Sequence, residues 1–353
     1  MRKKLLCFLV LVMCISIVAV FSFIGCTQAK ETSTKEETST EQEVTEETST
    51  EGKVAEETST EEETKDTLKM VYIVKTADNP YWESMIQGAE EAGKVLNIEI
   101  EGLAPITPYS VEEQIRFMED AITKGVDAII IVPADSQGIV PGIEKANEAG
   151  IPVVTPNTRA LGGDVVCWMG YGYPQAMHDV VEYSLSQLEM NDPKIVILEG
   201  KAGNQVTNEA RDGIQQALDE SDKNIEILSS QPADYSRALG QTVMENMLSQ
   251  FPEIDYVLSY NDEMALGAIE AIDAAGRSDE MIVSGSNGNN DALNAIKDGK
   301  LLASALQRPD AQAYWGVVTA YMYIKGFDTP KEFYLSSPLI TRDNIDEFFQ
   351  YGY

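Results

Sequence analysis

From Leu68 onward, short β-rich runs alternate with helix-length stretches, and this alternation limits the possible folds more than any single motif does. LKMVYIVK (68–75), IEIEGL (98–103), DAIIIVP (127–133) and IPVVTPN (151–157) read as strands. YWESMIQGAEEAGKVL (81–96), VEEQIRFMEDAITKG (111–125) and GIVPGIEKANEAG (138–150) lie between them with helical apolar spacing. The strands lack the polar alternation of a sheet with one wet face, so parallel sheets covered by helices on both sides are expected. The series then restarts with KIVILEG and continues through IEILSSQ, DYVLSYN, MIVSGSN and LLASALQ, each followed by a helical stretch. Two such series, divided near residues 157–175, predict an α/β protein with two doubly wound parallel-sheet lobes.

The N-terminal region has a different character. Arg2, Lys3 and Lys4 precede an uncharged apolar run ending in Phe23-Ile24-Gly25-Cys26. This has the form of an export signal, and its last four residues resemble the lipobox of bacterial lipoproteins. Residues 1–25 are therefore expected to be removed, with Cys26 lipidated at the outer face of the cytoplasmic membrane. Residues 26–66 follow as an acidic Ser/Thr/Glu-rich segment in which EETST recurs at Glu36, Glu46 and Glu56. With almost nothing apolar to bury, it reads as a disordered tether.

The whole chain carries a net charge of −32, and −25 of it falls on residues 67–353. So acidic a domain is a poor match for nucleic acid. Cys7 and Cys14 lie in the signal and Cys26 in the lipobox, leaving Cys167 alone in the folded part. A disulfide framework or a thiolate metal site is thereby excluded.

In open α/β sheets ligands bind beyond the carboxyl ends of the strands. The residues there include Asn79, Tyr81, Trp82, Asn157, Thr158, Arg159, Tyr235, Asn261, Asn287 and Gln307. Neutral amides dominate, and they both donate and accept hydrogen bonds. The aromatic rings can stack on the C–H faces of a sugar. No nucleophile–base pair is among them, and the glycine-rich GSNGNN (285–290) lacks phosphate-loop spacing. The pattern suits a neutral, polyhydroxylated molecule, with no catalytic residue, cofactor or metal.

Five stretches together carry a resemblance: Asn79-Pro80-Tyr81-Trp82, Gln231-Pro232-Ala233-Asp234-Tyr235, Asn261-Asp262-Glu263-Met264-Ala265-Leu266-Gly267-Ala268, Asp298-Gly299-Lys300-Leu301, and Gln307 before Arg308-Pro309-Asp310. From about Lys69 to Pro338 the chain resembles the periplasmic-type sugar-binding proteins of the ribose/galactose class, the solute receptors of ABC importers. The resemblance implies two lobes joined by a three-crossing hinge, with residues 67–172 and 308–337 in one lobe and 173–307 and 338–353 in the other. It implies that Tyr81, Trp82 and Tyr235 stack on a sugar or polyol, while Asn79, Asn261 and Gln307 bond its hydroxyls. A monomer that delivers its ligand to an ABC permease and ATPase is expected. A sensor for a membrane histidine kinase or chemoreceptor is an alternative reading, and an exported carbohydrate-active enzyme a third.

This sequence also departs from the ribose-binding pattern. An aspartate–arginine pair of that type is replaced by Asn157-Thr158, with Arg159 one position later, and a second aspartate by Asn287. The position of a ring-binding arginine is Ala210, with Arg211 next to it. Hydrogen bonds to charged groups contribute about 1.5–3 kcal/mol against about 0.5–1.5 for neutral ones. A ligand other than ribose follows: another neutral sugar or polyol, or one bearing an acid group. Arg159 and Arg211 are carried as candidate ligand contacts. Asp262 reads as the N-cap of a helix starting at Glu263, leaving Asn261 to face the ligand. Cys167 and Trp168 read as core, and Trp315 as part of a buried helical stripe.

Overall fold

The computed structural model describes residues 67–353. The signal, Cys26 and the acidic segment therefore lie outside the described residues. Strands β1 (Leu68–Ile73), β2 (Ile98–Leu103), β3 (Ala128–Ile131), β4 (Val153–Pro156) and β5 (Val165–Tyr171) form most of a first sheet. Helices α1 (Pro80–Leu96), α2 (Val111–Lys124) and α3 (Val140–Glu148) connect its first four strands. Helix α4 (Tyr173–Ser186) then carries the chain to a second sheet of β6 (Lys194–Glu199), β7 (Glu226–Pro232), β8 (Tyr256–Ser259), β9 (Ile282–Ser284) and β10 (Ala303–Ala305). Its connections are α5 (Gln205–Glu220), α6 (Arg237–Gln250), α7 (Asp262–Ala275) and α8 (Asn290–Lys297). The chain returns through α9 (Pro309–Ile324) to β11 (Glu332–Leu335) in the first sheet, and crosses again to β12 (Leu339–Thr341) in the second.

The strand orders are β11-β5-β4-β3-β1-β2 and β12-β10-β9-β8-β6-β7. Apart from the antiparallel β10–β12 pair, every strand pairing is parallel. Both halves thus repeat the 2-1-3-4-5 order of a doubly wound sheet, which has its switch point where strand order reverses. That point falls between β1 and β3 in one lobe, and between β6 and β8 in the other. The central strands are buried on both faces, as their unbroken apolar character requires: Ile129, Ile130 and Ile131 on β3, Val257 and Leu258 on β8.

Three strands escape the sequence reading: β5, β11 and β12. Cys167 and Trp168 are buried as expected, but inside β5. Trp315 departs from expectation. It is 42% exposed on α9, with its ring against Phe333 of the edge strand β11, because the buried stripe of that helix runs through Gln312, Ala313, Gly316, Val317 and Ala320.

Candidate functional site

Both switch points open onto one cavity between the sheets, enclosing about 560 Å³ unfilled by protein atoms with its mouth included. The first lobe contributes Lys75, Asn79, Tyr81, Trp82, Tyr109 and Asn157 to its wall. Facing them are Asn204, Tyr235, Tyr260, Asn261, Ser286 and Asn287, with Tyr173 and Gln307 at the crossings. Of the residues chosen from sequence, Asn79, Tyr81, Trp82, Asn157, Tyr235, Asn261, Asn287 and Gln307 line the cavity; Thr158, Arg159 and Arg211 do not.

The first-lobe wall follows from how α1 begins. Asn79 caps the helix, its Oδ1 accepting from the Tyr81 amide at 2.9 Å, and Pro80 occupies the first turn, where no N–H is needed. Tyr81 and Trp82 are then both buried, edge to face with ring centroids 4.8 Å apart. Neither has to turn outward, because the cavity itself receives part of both rings. Asn157 is held on every side. Its Nδ2 donates to the Tyr173 hydroxyl at 2.8 Å and to the Tyr81 hydroxyl at 3.2 Å, while its carbonyl accepts from the Trp168 indole at 3.0 Å.

Lys75 was not singled out from sequence, because it reads as the end of an apolar strand. It is fully buried, its Nζ donating to Thr158 Oγ1 at 2.6 Å and Asn157 Oδ1 at 3.3 Å, with the Trp82 ring 5.1 Å away. Burial pushes its ammonium down to about 7, and no neighbouring carboxylate offsets this. Thr158 therefore supports the wall from behind.

The two arginines are held elsewhere. Arg159 lies 3.5 Å over the Trp168 ring and donates to Glu332 Oε1 at 2.7 Å and the Tyr334 hydroxyl at 2.9 Å, so β11 captures it. Arg211 donates to Glu199 Oε2 at 2.8 Å from the outer side of α5. One residue is about 100° of helix rotation, which is why Ala210 lines the cavity and Arg211 does not.

In the second lobe Tyr235 follows β7 with φ +63°, its hydroxyl 2.7 Å from Thr207 Oγ1. Its ring lies against Gly200, where a Cβ would come within 2.2 Å of it. Asn261, not Asp262, caps α7: its Oδ1 accepts from the Met264 amide at 3.0 Å. Asp262 is fully buried one residue further, accepting from Ser304 Oγ at 2.8 Å and from the Gly288 amide at 2.6 Å. Burial pushes its carboxyl up to about 7, although these donors and the Asn289 amide pull the other way. Glu263 is engaged by Arg237 at 3.0 Å and by Asn289 at 2.9 Å.

Tyr109, Asn157, Tyr235 and Asn287 line the cavity with positive φ, as does Asp234 beside it. Such conformations cost of order 1–3 kcal/mol each and concentrate at ligand clamps. Among the described residues one cluster could hold a metal ion, His178, Asp179 and Glu182. It is not part of the cavity wall, and His178 Nε2 already lies 2.9 Å from Glu220. No helix among the described residues is long and apolar enough to cross a membrane.

Two parallel sheets of matching strand order, crossed three times by the chain and meeting at a shared polar cleft, define a two-lobed binding protein of the type I periplasmic fold. Residues 70–328 match the periplasmic binding protein domain, and the chain belongs to that family. It is 34% identical over 262 residues to the ribose import binding protein of Escherichia coli, covering 74% of this chain and 86% of that protein. A solute-binding protein of Actinobacillus succinogenes with bound D-allose superposes with a TM-score of 0.75 at 27% identity, over 80% of this chain and all of that one. One of Bacillus halodurans with bound myo-inositol gives 0.73 at 28% identity, over 80% and 97% of the two chains.

Proposed function

We propose that this protein is an extracytoplasmic receptor that captures one sugar-like, polyhydroxylated molecule by closing its lobes, and that it hands the molecule to the permease and ATPase of an ABC importer. The observation that carries this reading is the composition of the cleft. Its wall holds amides and aromatic rings from both lobes and no acidic side chain among the described residues. Amides match hydroxyls in both directions, and Tyr81, Trp82 and Tyr235 offer ring faces and edges to C–H groups. The relatives that bind ribose, D-allose and myo-inositol support the same ligand class.

A ligand bridging the lobes gains contacts in the closed form that the open form lacks, and this difference shifts the equilibrium. We assign residues 67–172 and 308–337 to one moving lobe and 173–307 and 338–353 to the other, acting as a monomer. In this reading the closed rims meet the permease, and lipidated Cys26 with the acidic tether holds the receptor at the membrane. Thermal-shift screening against pentoses, hexoses, cyclic and linear polyols and sugar acids, followed by calorimetry on those that stabilise, tests the proposal. A stabilising compound bound at micromolar affinity or better is expected. No stabilisation by any of these classes would overturn it.

A further inference from the structure

Lys75 is the one charged side chain lining the cleft among the described residues, and it has no counter-ion. An unpaired buried ammonium is costly: it gives up its proton or takes an anionic partner. Here the surroundings supply only dipoles: the Thr158 hydroxyl, the Asn157 amide oxygen and the Trp82 ring. Asn287 adds a further neutral amide from the facing lobe.

The rest of the lining shares this bias. Asn79, Asn204 and Asn261 are the N-caps of α1, α5 and α7, helices of 17, 16 and 14 residues, and all three line the cavity. Three helix N-termini thus converge on it, each equivalent to roughly half a positive charge. Two buried donors in the wall also lack acceptors, Asn204 Nδ2 and the Trp82 indole Nε1. The indole nitrogen lies beside the Tyr109 hydroxyl without hydrogen-bonding geometry to it. A neutral sugar hydroxyl brings a donor with every acceptor, whereas a carboxylate brings acceptors only.

Resting on the receptor reading above, we infer that the captured molecule carries one negative charge: it is a sugar acid, a polyhydroxylated carbon skeleton with a carboxylate seated against Lys75 Nζ. The acidic surface of the domain does not conflict with this. Its field slows the approach of an anion but is screened beyond about 8 Å at physiological salt. Affinity is set by the groups inside the closed cleft.

Calorimetry on the full chain with matched pairs tests the inference: D-galactose and D-galacturonate, D-glucose and D-glucuronate, D-ribose and D-ribonate, xylitol and D-xylonate, with acetate as a bare carboxylate. The acid of at least one pair is expected to bind at least tenfold tighter than its neutral partner, and acetate not measurably. Lys75→Met is expected to abolish that preference while leaving the unliganded protein at least as stable. Asn157→Asp keeps the lysine but gives it an internal counter-ion, so it is expected to shift the same preference toward the neutral partner without relying on the first variant. Tighter binding of the neutral partner wherever a pair binds, or an acid preference that survives both substitutions, would overturn the charge assignment and leave the receptor reading standing. Binding of no compound of either kind would overturn both.

Discussion

Asn79 Nδ2 lies 3.3 Å from the backbone oxygen of Tyr235, a hydrogen bond joining the first turn of α1 in one lobe to the β7–α6 loop in the other. Asn261 Nδ2 approaches the same oxygen at 3.5 Å from its own lobe. One carbonyl therefore gathers two helix-capping asparagines, and the side chains that start α1 and α7 also border the cleft. Capping and closure can be separated at Asn79. Serine caps a helix about as well as asparagine but is too short to reach across. Asn79→Ser is expected to leave thermal stability nearly unchanged. It should also weaken binding of a ligand found by the screen two- to tenfold, the equivalent of a neutral hydrogen bond of about 0.5–1.5 kcal/mol. Unchanged affinity by calorimetry would remove this bond from the closing equilibrium.

Lys75 makes the stability of the unliganded protein depend on pH. Its ammonium titrates near 7 when folded and near 10.5 when unfolded. Between these values the unfolded chain binds more protons, so the lysine's contribution to stability rises with pH across that window and is least favourable below it. Burial holds the Tyr81, Tyr109 and Tyr173 phenols above their ordinary value of 10.0, so between pH 7 and 9 they stay protonated in both states and do not contribute. Urea unfolding from pH 7 to 9 is expected to show this rise and Lys75→Met to flatten it. Parallel curves for the two proteins would show that the lysine is not desolvated.

Much of the architecture is legible in the sequence because buried parallel strands leave unbroken apolar runs such as DAIIIVP, and helices between them keep a 3.6-residue period. β5 was missed because VVCWMGY follows a glycine-rich turn and has no helix between it and β4. β11 was missed because its residues are mostly exposed at a sheet edge, which leaves no hydrophobic pattern to read. At the cleft, residues just past strand ends could be named since sheet topology dictates where ligands bind. Lys75 could not: within an apolar run, a charge buried beneath Trp82 reads the same as one at the surface. Arg159 was misplaced for a related reason. Adjacency to Asn157 says nothing of Glu332 and Tyr334, which lie far along the chain and draw the guanidinium to β11.

Asp262 gives the opposite pH response. Its carboxyl titrates near 7 when folded, against an ordinary value of 3.8, because burial outweighs the hydrogen bonds from Ser304 and Gly288. The folded protein then binds more protons between those values, so this group's contribution to stability is present in full below about 4 and is lost as pH rises toward 7. Asp262→Asn fixes a neutral side chain of the same shape, and is expected to reduce the downward slope between pH 4 and 7 in thermal unfolding. An unaltered slope would mean that Ser304 and Gly288 hold the carboxylate ionised throughout.

Gly200 positions Tyr235 without itself lining the cleft. A Cβ at residue 200 would come within 2.2 Å of both Cζ and the hydroxyl oxygen of that ring, so alanine forces the ring to move. The ring cannot move and keep its 2.7 Å bond to Thr207, and its backbone is already fixed at positive φ. Gly200→Ala is expected to cost about 1–3 kcal/mol of stability through overpacking and to weaken ligand binding at least tenfold. A double-mutant cycle separates this from general damage. In a Tyr235→Ala background the ring is gone, and adding Gly200→Ala should cost little further stability or affinity. If the second substitution is as harmful there as in the wild type, the glycine serves the β6–α5 loop itself and not the seat of Tyr235.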